Sequence, residues 1–150
     1  MTMHRISLIA LSMLAVLFVA SCAPKVAGHL AVNNMEKKVH TLYIWDVDGH
    51  TDLALLRGLK AEAGKQLSAA GYTVTTGPNA TQAYVKITVD DAIKEGSPSI
   101  MGRLYIVDST DQTIIYDKTC EARSGKEGYP FDSFIGCALS EFVGAAGKGN

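Results

Sequence analysis

The stretch Ala83-Tyr84-Val85-Lys86-Ile87-Thr88-Val89-Asp90 alternates apolar residues with polar or amphipathic ones along its whole length. Side chains of a β-strand point alternately to opposite faces, so one face of this strand is expected to be buried and the other wet. Such strands are typical of antiparallel sheets, in which one face packs on a core and the other meets water. The stretch therefore predicts a mainly antiparallel sheet.

Downstream of this strand, the sequence predicts a β-hairpin and a helix. Segments 101–107 and 113–123 favour strands, and the turn residues between them predict the hairpin. After a loop over 124–130, apolar residues recur at helical spacing. The residues that share this predicted helical face are Phe131, Phe134, Ile135, Ala138 and Phe142.

Upstream, segment 39–47 is rich in β-branched and aromatic residues and predicts a strand that is apolar on both faces. Thr51 or Asp52 is expected to cap a following helix, which Gly71 ends. A short strand is predicted over 72–76. The apolar stripe of this helix is Leu56, Leu59, Ala63, Leu67 and Ala70.

The predicted element order is β-α-β-β-β-β-α. Strands that gather after one helix indicate an α+β domain. We expect one mainly antiparallel sheet of about five strands, with two helices packed on it, over residues 39–146. The last residues, 147–150, are expected to fray.

The first 21 residues have the three parts of a secretory signal peptide: a positive start, an apolar run from Ile6 to Ala20 and small residues at its end. The stretch Val19-Ala20-Ser21-Cys22 resembles the lipobox of bacterial lipoproteins. This resemblance implies cleavage before Cys22 and acylation of that cysteine. Ala23 follows it, where an aspartate would indicate retention in the inner membrane.

The signal and lipobox predict a protein of the cell envelope, anchored in the outer membrane by lipid at Cys22 and facing the periplasm. Residues 22–38 show no sustained periodicity, and we expect them to form a lipidated tether. Removal of 21 of the 150 residues would leave 129, with 13 basic and 15 acidic side chains because only Arg5 is lost. This balance argues against nucleic acid as a partner, since nucleic-acid binding requires a basic surface.

Cys120 and Cys137 are the cysteines that remain if Cys22 is acylated. An even pair in an oxidising compartment predicts one disulfide bond between them. Two buried free thiols are the alternative interpretation.

An enzymatic alternative arises from Asp46-Val47-Asp48-Gly49-His50-Thr51, which follows an apolar strand. It resembles the first motif, D-x-D-G-T, of haloacid-dehalogenase-type phosphatases. That resemblance implies that Asp46 attacks phosphorus, that Asp48 is the acid/base and that Mg²⁺ neutralises charge. His50 departs from the motif, and the family covers a parallel sheet on both faces, whereas this sequence predicts two helices.

A metal site formed by Asp46, Asp48 and His50 is a further alternative. We nevertheless expect no catalytic residue, no metal site and no cofactor, and hence a protein that is not an enzyme. Strand order discriminates between the two classes. A parallel sheet with Asp46 at its carboxyl edge favours the phosphatase, whereas an antiparallel sheet favours a binding protein.

Segment 41–92 resembles the core of plasmid surface-exclusion (complement-resistance) lipoproteins. The shared features are an apolar strand, Leu56-x-x-Leu59-Lys60 in a helix, segment 67–76 ending that helix in Gly-Tyr, and a strand from Ala83. The same Gly-Tyr feature occurs in penicillin-binding-protein activators, curli-secretion lipoproteins and the lipopolysaccharide-assembly lipoprotein. The long glycine/alanine-rich segment of the surface-exclusion family has no counterpart here.

These resemblances imply a non-enzymatic envelope lipoprotein with a binding or assembly role. The expected partners are the membrane, through Cys22, and an envelope protein or glycolipid. A lipopolysaccharide-assembly or cell-wall-synthase-activating role is the alternative among binding proteins.

Overall fold

The computed structural model describes residues 23–34 and 38–146 of the chain. These residues form strands and two helices. The strands are β1 (Lys25–Asn33), β2 (Thr41–Ile44), β3 (Asp48–Gly49), β4 (Thr73–Thr75), β5 (Ala83–Ile93), β6 (Ser99–Asp108) and β7 (Ile114–Arg123). The helices are α1 (Leu53–Ala69) and α2 (Phe131–Ala146).

All strands belong to one seven-stranded sheet with the order β1-β7-β6-β5-β2-β4, and β3 pairs with β5. The α+β class and the two helices are as predicted. The prediction of about five mainly antiparallel strands is wrong, because β2 and β3 run parallel to β5, and β2 runs parallel to β4. The cause is α1, which carries the chain back along the sheet so that β4 starts at the same end as β2; parallel strands need such a crossover.

The expected tether over residues 22–38 is also corrected, because β1 occupies most of that segment. It pairs antiparallel with β7, from Lys25 opposite Arg123 to Asn33 opposite Tyr116. Almost every β1 side chain is exposed, since this strand lies at the edge of the sheet. An edge strand carries weak hydrophobic alternation, which is why the sequence did not indicate it.

Helix α1 packs on one face of the sheet through Leu55, Leu59, Ala63 and Leu67. Of the two predicted caps, Asp52 is the one found: its side chain accepts a hydrogen bond from the amide of Ala54 at 2.9 Å. Gly71 ends the helix with φ of +92°, as predicted, because glycine adopts this conformation without a Cβ penalty.

Helix α2 covers the same face beside α1. Its buried side chains are Phe134, Ile135, Ala138, Leu139 and Phe142. Phe142 stacks on Tyr72 with ring centroids 5.1 Å apart, and the hydroxyl of Tyr116 donates a 2.8 Å hydrogen bond to the carbonyl of Ala138. The two helices also touch each other, since the Gln66 amide donates to the carbonyl of Asp132.

Candidate functional site

The sheet face opposite the helices carries a group of aromatic and basic side chains. Leu42 and Ile44 of β2 are buried on the helix side, so the residues that alternate with them point to the other face. Within residues 23–34 and 38–146, no helix covers that face. We call this group the aromatic–basic face; its members are Tyr43, Trp45, Tyr84, Lys86, Arg103 and Tyr105.

Trp45 is the most accessible aromatic ring of this face, with 42% of its surface exposed. Its indole packs edge-on against Tyr43 and Tyr84, with ring centroids 5.4 and 5.5 Å away. Such T-shaped pairs match the positive edge of one ring with the negative face of the next. The neighbouring tyrosines therefore hold the indole in place while leaving part of it accessible.

The ammonium nitrogen of Lys60, on α1, is 5.8 Å from the Tyr43 ring. Two cations from the sheet itself also lie over rings of the same face. The ammonium nitrogen of Lys86 is 5.7 Å from the Trp45 ring, and the guanidinium carbon of Arg103 is 5.1 Å from the Tyr105 ring. Both separations lie within the range of cation–π attraction.

Asp117 on β7 fixes the position of Arg103. The Arg103 Nε donates to the Asp117 carboxylate at 2.6 Å, and a terminal guanidinium nitrogen bonds the second carboxylate oxygen. These bonds raise the pKa of Arg103 above its usual value. A two-point bond of this kind orients the guanidinium plane and so holds Arg103 over the Tyr105 ring.

The aromatic–basic face has side-chain types that can contact a partner. Aromatic rings offer large apolar area and, through tyrosine hydroxyls and the indole N–H, polar contacts as well. The sequence predicted only that segment 39–47 is a strand with two apolar faces, which favours packing as the role of Trp45. The signal was present in the alternation of Tyr84 and Lys86 along the strand.

Asp46 lies just after the carboxyl end of β2, as the phosphatase alternative requires. Its carboxylate accepts a 2.6 Å hydrogen bond from the ammonium of Lys60 on α1, and this bond lowers the pKa of Asp46. Asp48 lies in β3 beside Thr88 and is exposed. Strand order does not decide between a phosphatase and a binding protein, because the sheet is parallel around β2 and antiparallel elsewhere.

The predicted metal alternative at Asp46, Asp48 and His50 does not form a ligand set. Within the described part of the chain, no three histidine, cysteine, aspartate or glutamate residues come together in a way that could hold a metal ion.

The predicted pair of cysteines is joined in the structure. A disulfide links Cys120 on β7 to Cys137 on α2, with Cα atoms 6.3 Å apart. It fastens the second helix to the sheet next to the edge strand β1. Cys22 lies outside the described residues, as do the predicted signal peptide and residues 147–150, while β1 begins at Lys25. No helix in the described ranges is long and apolar enough to cross a membrane.

An ion pair between a buried lysine and a partly exposed glutamate joins α2 to the sheet, and the sequence did not predict it. The ammonium of Lys118 on β7 lies under α2, where it donates to Ser140 at 2.8 Å and to Glu141 at 2.5 Å. The Ser140 hydroxyl in turn donates to Glu141 at 2.6 Å, and the hydrogen bonds from Lys118 and Ser140 hold the pKa of Glu141 at about 2. A single lysine in a strand does not indicate its partner in the sequence, because Glu141 comes close to Lys118 only when α2 packs on the sheet.

No protein-family model and no curated protein sequence match this chain. Solved structures match its fold. The PelC dodecamer from Paraburkholderia phytofirmans has a TM-score of 0.66 at 13% identity, over 77% of this chain and 96% of that one. Protein XCC0632 from Xanthomonas campestris has a TM-score of 0.53 at 11% identity, over 80% and 94% of the two chains.

Lipoprotein GNA1162 from Neisseria meningitidis has a TM-score of 0.50 at 14% identity, over 72% of this chain and 98% of that one. At such identities the likeness concerns the fold alone. The finer resemblance to surface-exclusion lipoproteins stays a prediction. The chain therefore has a fold that at least one bacterial lipoprotein shares.

Proposed function

We propose that this protein is an outer-membrane lipoprotein, anchored at Cys22 and facing the periplasm, that binds another envelope component through the aromatic–basic face. Three observations support the location: the lipobox-like stretch ending at Cys22, the disulfide typical of an oxidising compartment, and the fold shared with lipoprotein GNA1162. The role is binding or assembly, without catalysis.

The binding role rests on the exposure of Trp45 beside Lys86, with Arg103 over the Tyr105 ring on the same face. Large aromatic rings and arginine are the side chains that most often dominate the binding energy of protein interfaces. Here they lie on a sheet face that the helices leave uncovered, and Asp117 holds the arginine in place. A partner with apolar surface and anionic or hydroxyl groups, such as an envelope protein or a glycolipid, would match this face.

Photo-crosslinking in cells tests this binding role. A benzophenone amino acid at Tyr84 is expected to form adducts that mass spectrometry can identify. The matched control places the same group at Leu53, which is exposed at the start of α1 and away from the face. Absence of adducts at Tyr84, or the same adducts from both positions, would contradict the proposed face.

The nature of the adduct separates the two binding roles. Adducts with lipopolysaccharide-transport components or with a cell-wall synthase would favour the assembly or synthase-activating alternative. Other envelope partners would leave the broader binding role in place.

The anchor has its own test. Cys22→Ser is expected to abolish acylation and the associated cleavage, so that the protein leaves the detergent phase. Intact mass of the wild-type mature protein measures the acyl chains directly, and a mature chain without acyl mass would refute the anchor.

The phosphatase remains a second candidate because Asp46 follows a strand that is parallel to both of its neighbours. Magnesium-dependent phosphatase turnover by the purified protein, lost in the Asp46→Asn, Asp48→Asn double variant, would overturn the non-enzymatic role. We expect the double variant to retain its crosslinking at position 84.

A further inference from the structure

One end of the sheet includes the start of β1, which lies only three positions after Cys22 in the sequence. At this end β1 begins, β5 finishes, β6 begins and β7 finishes, and Lys25, Arg123, Ser99 and Ile93 are neighbours across the strands. We call it the anchor end. We propose that the anchor end rests directly on the lipid bilayer, with Ile93 and Met101 in contact with its headgroup layer; this rests on the proposed acylation of Cys22.

The short length of chain between Cys22 and β1 limits how far the sheet can lie from the bilayer. Lys25 lies three positions after Cys22, and an extended chain spans at most about 11 Å over that length. The headgroup layer on each side of a bilayer is itself about 5–8 Å thick. An acylated cysteine lies at that layer, so the start of β1 cannot move more than a short distance from it.

The anchor end carries exposed apolar side chains. Ile93 and Met101 are 47% and 41% exposed. Ile93 is paired with Ser99 and Met101 with Asp91, which places the two apolar side chains diagonally on one face of β5 and β6. Val26, on β1, adds a third exposed apolar group at the same end, on the other face of the sheet.

The charged groups of the anchor end have both signs. Asp91 and Glu121 lie opposite Met101 on its two neighbouring strands. A shallow cleft of about 420 Å³ lies between the start of β1 and the loops that follow β5 and β7. Lys25, Arg123 and Lys126 line it together with Glu127. The charged side chains of this cleft are mainly basic, which fits a phosphate-bearing surface. Basic side chains around small, open clefts can hold lipid phosphates, while nearby apolar groups enter the interface.

The opposite end of the sheet offers a matched control. Ile114 begins β7 there and is 41% exposed, close to the value for Met101. It lies on the same strand that ends at Arg123, and therefore a full strand length from the anchor end. A probe at Ile114 samples the same sheet with the same residue type but no nearby anchor.

The test uses tryptophan quenching by brominated lipids in the full-length, lipidated protein. In a Trp45→Phe background, Ile93→Trp, Met101→Trp and Ile114→Trp each supply a single indole. The proteins are reconstituted into phosphatidylcholine vesicles, with and without phosphatidylglycerol, and compared with unbrominated vesicles. Intact mass is measured first for every variant.

We expect Ile93→Trp and Met101→Trp to lose about half of their emission, since interfacial apolar groups lie about 5–10 Å into the boundary of headgroups and acyl chains. Ile114→Trp should lose almost none. Acylated variants with equal, weak quenching at all three positions would overturn the proposed contact while leaving the anchor intact. A blue-shifted but unquenched indole at position 93 would indicate a protein neighbour and would also overturn it. Missing acyl mass would refute the anchor and the contact together.

Discussion

Gly28 of β1 lies directly against Cys137 of α2. A Cβ on Gly28 would come within 2.6 Å of the Cys137 sulfur and 2.9 Å of the Cys120 sulfur. The edge strand therefore passes the disulfide at a distance that only glycine permits, and the bond and the strand are packed as one unit.

Gly28→Ala is expected to lower the free energy of unfolding by about 1–3 kcal/mol, the usual cost of overpacking a filled site. The penalty should shrink when Cys120 and Cys137 are both alanine, because the sulfur atoms that meet the new methyl are gone. Chemical denaturation of the four proteins forms a double-mutant cycle. Equal penalties in both backgrounds would show that the close approach to the sulfurs does not matter.

Replacement of both cysteines with alanine is expected to lower the free energy of unfolding by about 2–4 kcal/mol without loss of the fold. The bond closes a loop with a sequence separation of 17, which restricts the unfolded chain. Denaturation with and without reductant measures the effect: only the wild-type protein should respond. Two free thiols in the unfolded, unreduced mature protein would remove the bond.

The Lys118–Glu141 pair makes stability depend on pH. Its hydrogen bonds lower the pKa of Glu141 from 4.5 to about 2 in the folded protein, so the stabilisation is present above pH 4.5 and is lost as pH falls toward 2. We expect Glu141→Gln to cost about 1 kcal/mol at neutral pH, since the partly exposed carboxylate is screened by water.

The wild-type and Glu141→Gln curves should converge near pH 2. Glu95→Gln, in an exposed loop, is the control for loss of one negative charge. A gap between wild type and Glu141→Gln that persists unchanged at pH 2 would contradict the assigned pKa.

Tyr72 and Tyr116 both pack on Phe142 but differ in their hydroxyl groups. That of Tyr116 donates to the Ala138 carbonyl, whereas the buried hydroxyl of Tyr72 has no hydrogen-bond partner among the described residues. Burial raises the pKa of both phenols. Tyr116→Phe should cost about 1 kcal/mol, and Tyr72→Phe should be neutral or stabilising, because an unsatisfied buried group is removed. Thermal unfolding of the two variants measures these effects. A larger loss of stability in Tyr72→Phe than in Tyr116→Phe would contradict this prediction.

The alternation from Ala83 to Asp90 was sufficient to predict β5 and the class of the domain, because one buried face imposes a period of two. The directions of the neighbouring strands were not predictable from this alternation. Whether β2 runs parallel to β5 depends on where α1 returns the chain, and hydrophobic pattern carries no such information. β3 has only two residues, too few for a pattern.

The aromatic–basic face was hard to predict for a related reason. A strand with apolar residues on both faces, such as 39–47, looks central and fully buried. Its second face stays partly open in the structure because both helices pack on the first, so Trp45 is accessible. The Cys120–Cys137 bond, by contrast, was predictable from an even pair of cysteines in an oxidising compartment.

The edge strand β1 has a consequence for the order in which the domain can fold. Lys25 pairs with Arg123, 98 positions later, so this strand has no place to dock until β7 exists. Pairing across so long a separation must first overcome the entropy of closing the intervening loop. Under the proposed export and acylation at Cys22, the segment that follows this cysteine would therefore stay unpaired until almost the whole chain had emerged, and acylating enzymes would have a period in which to reach the cysteine.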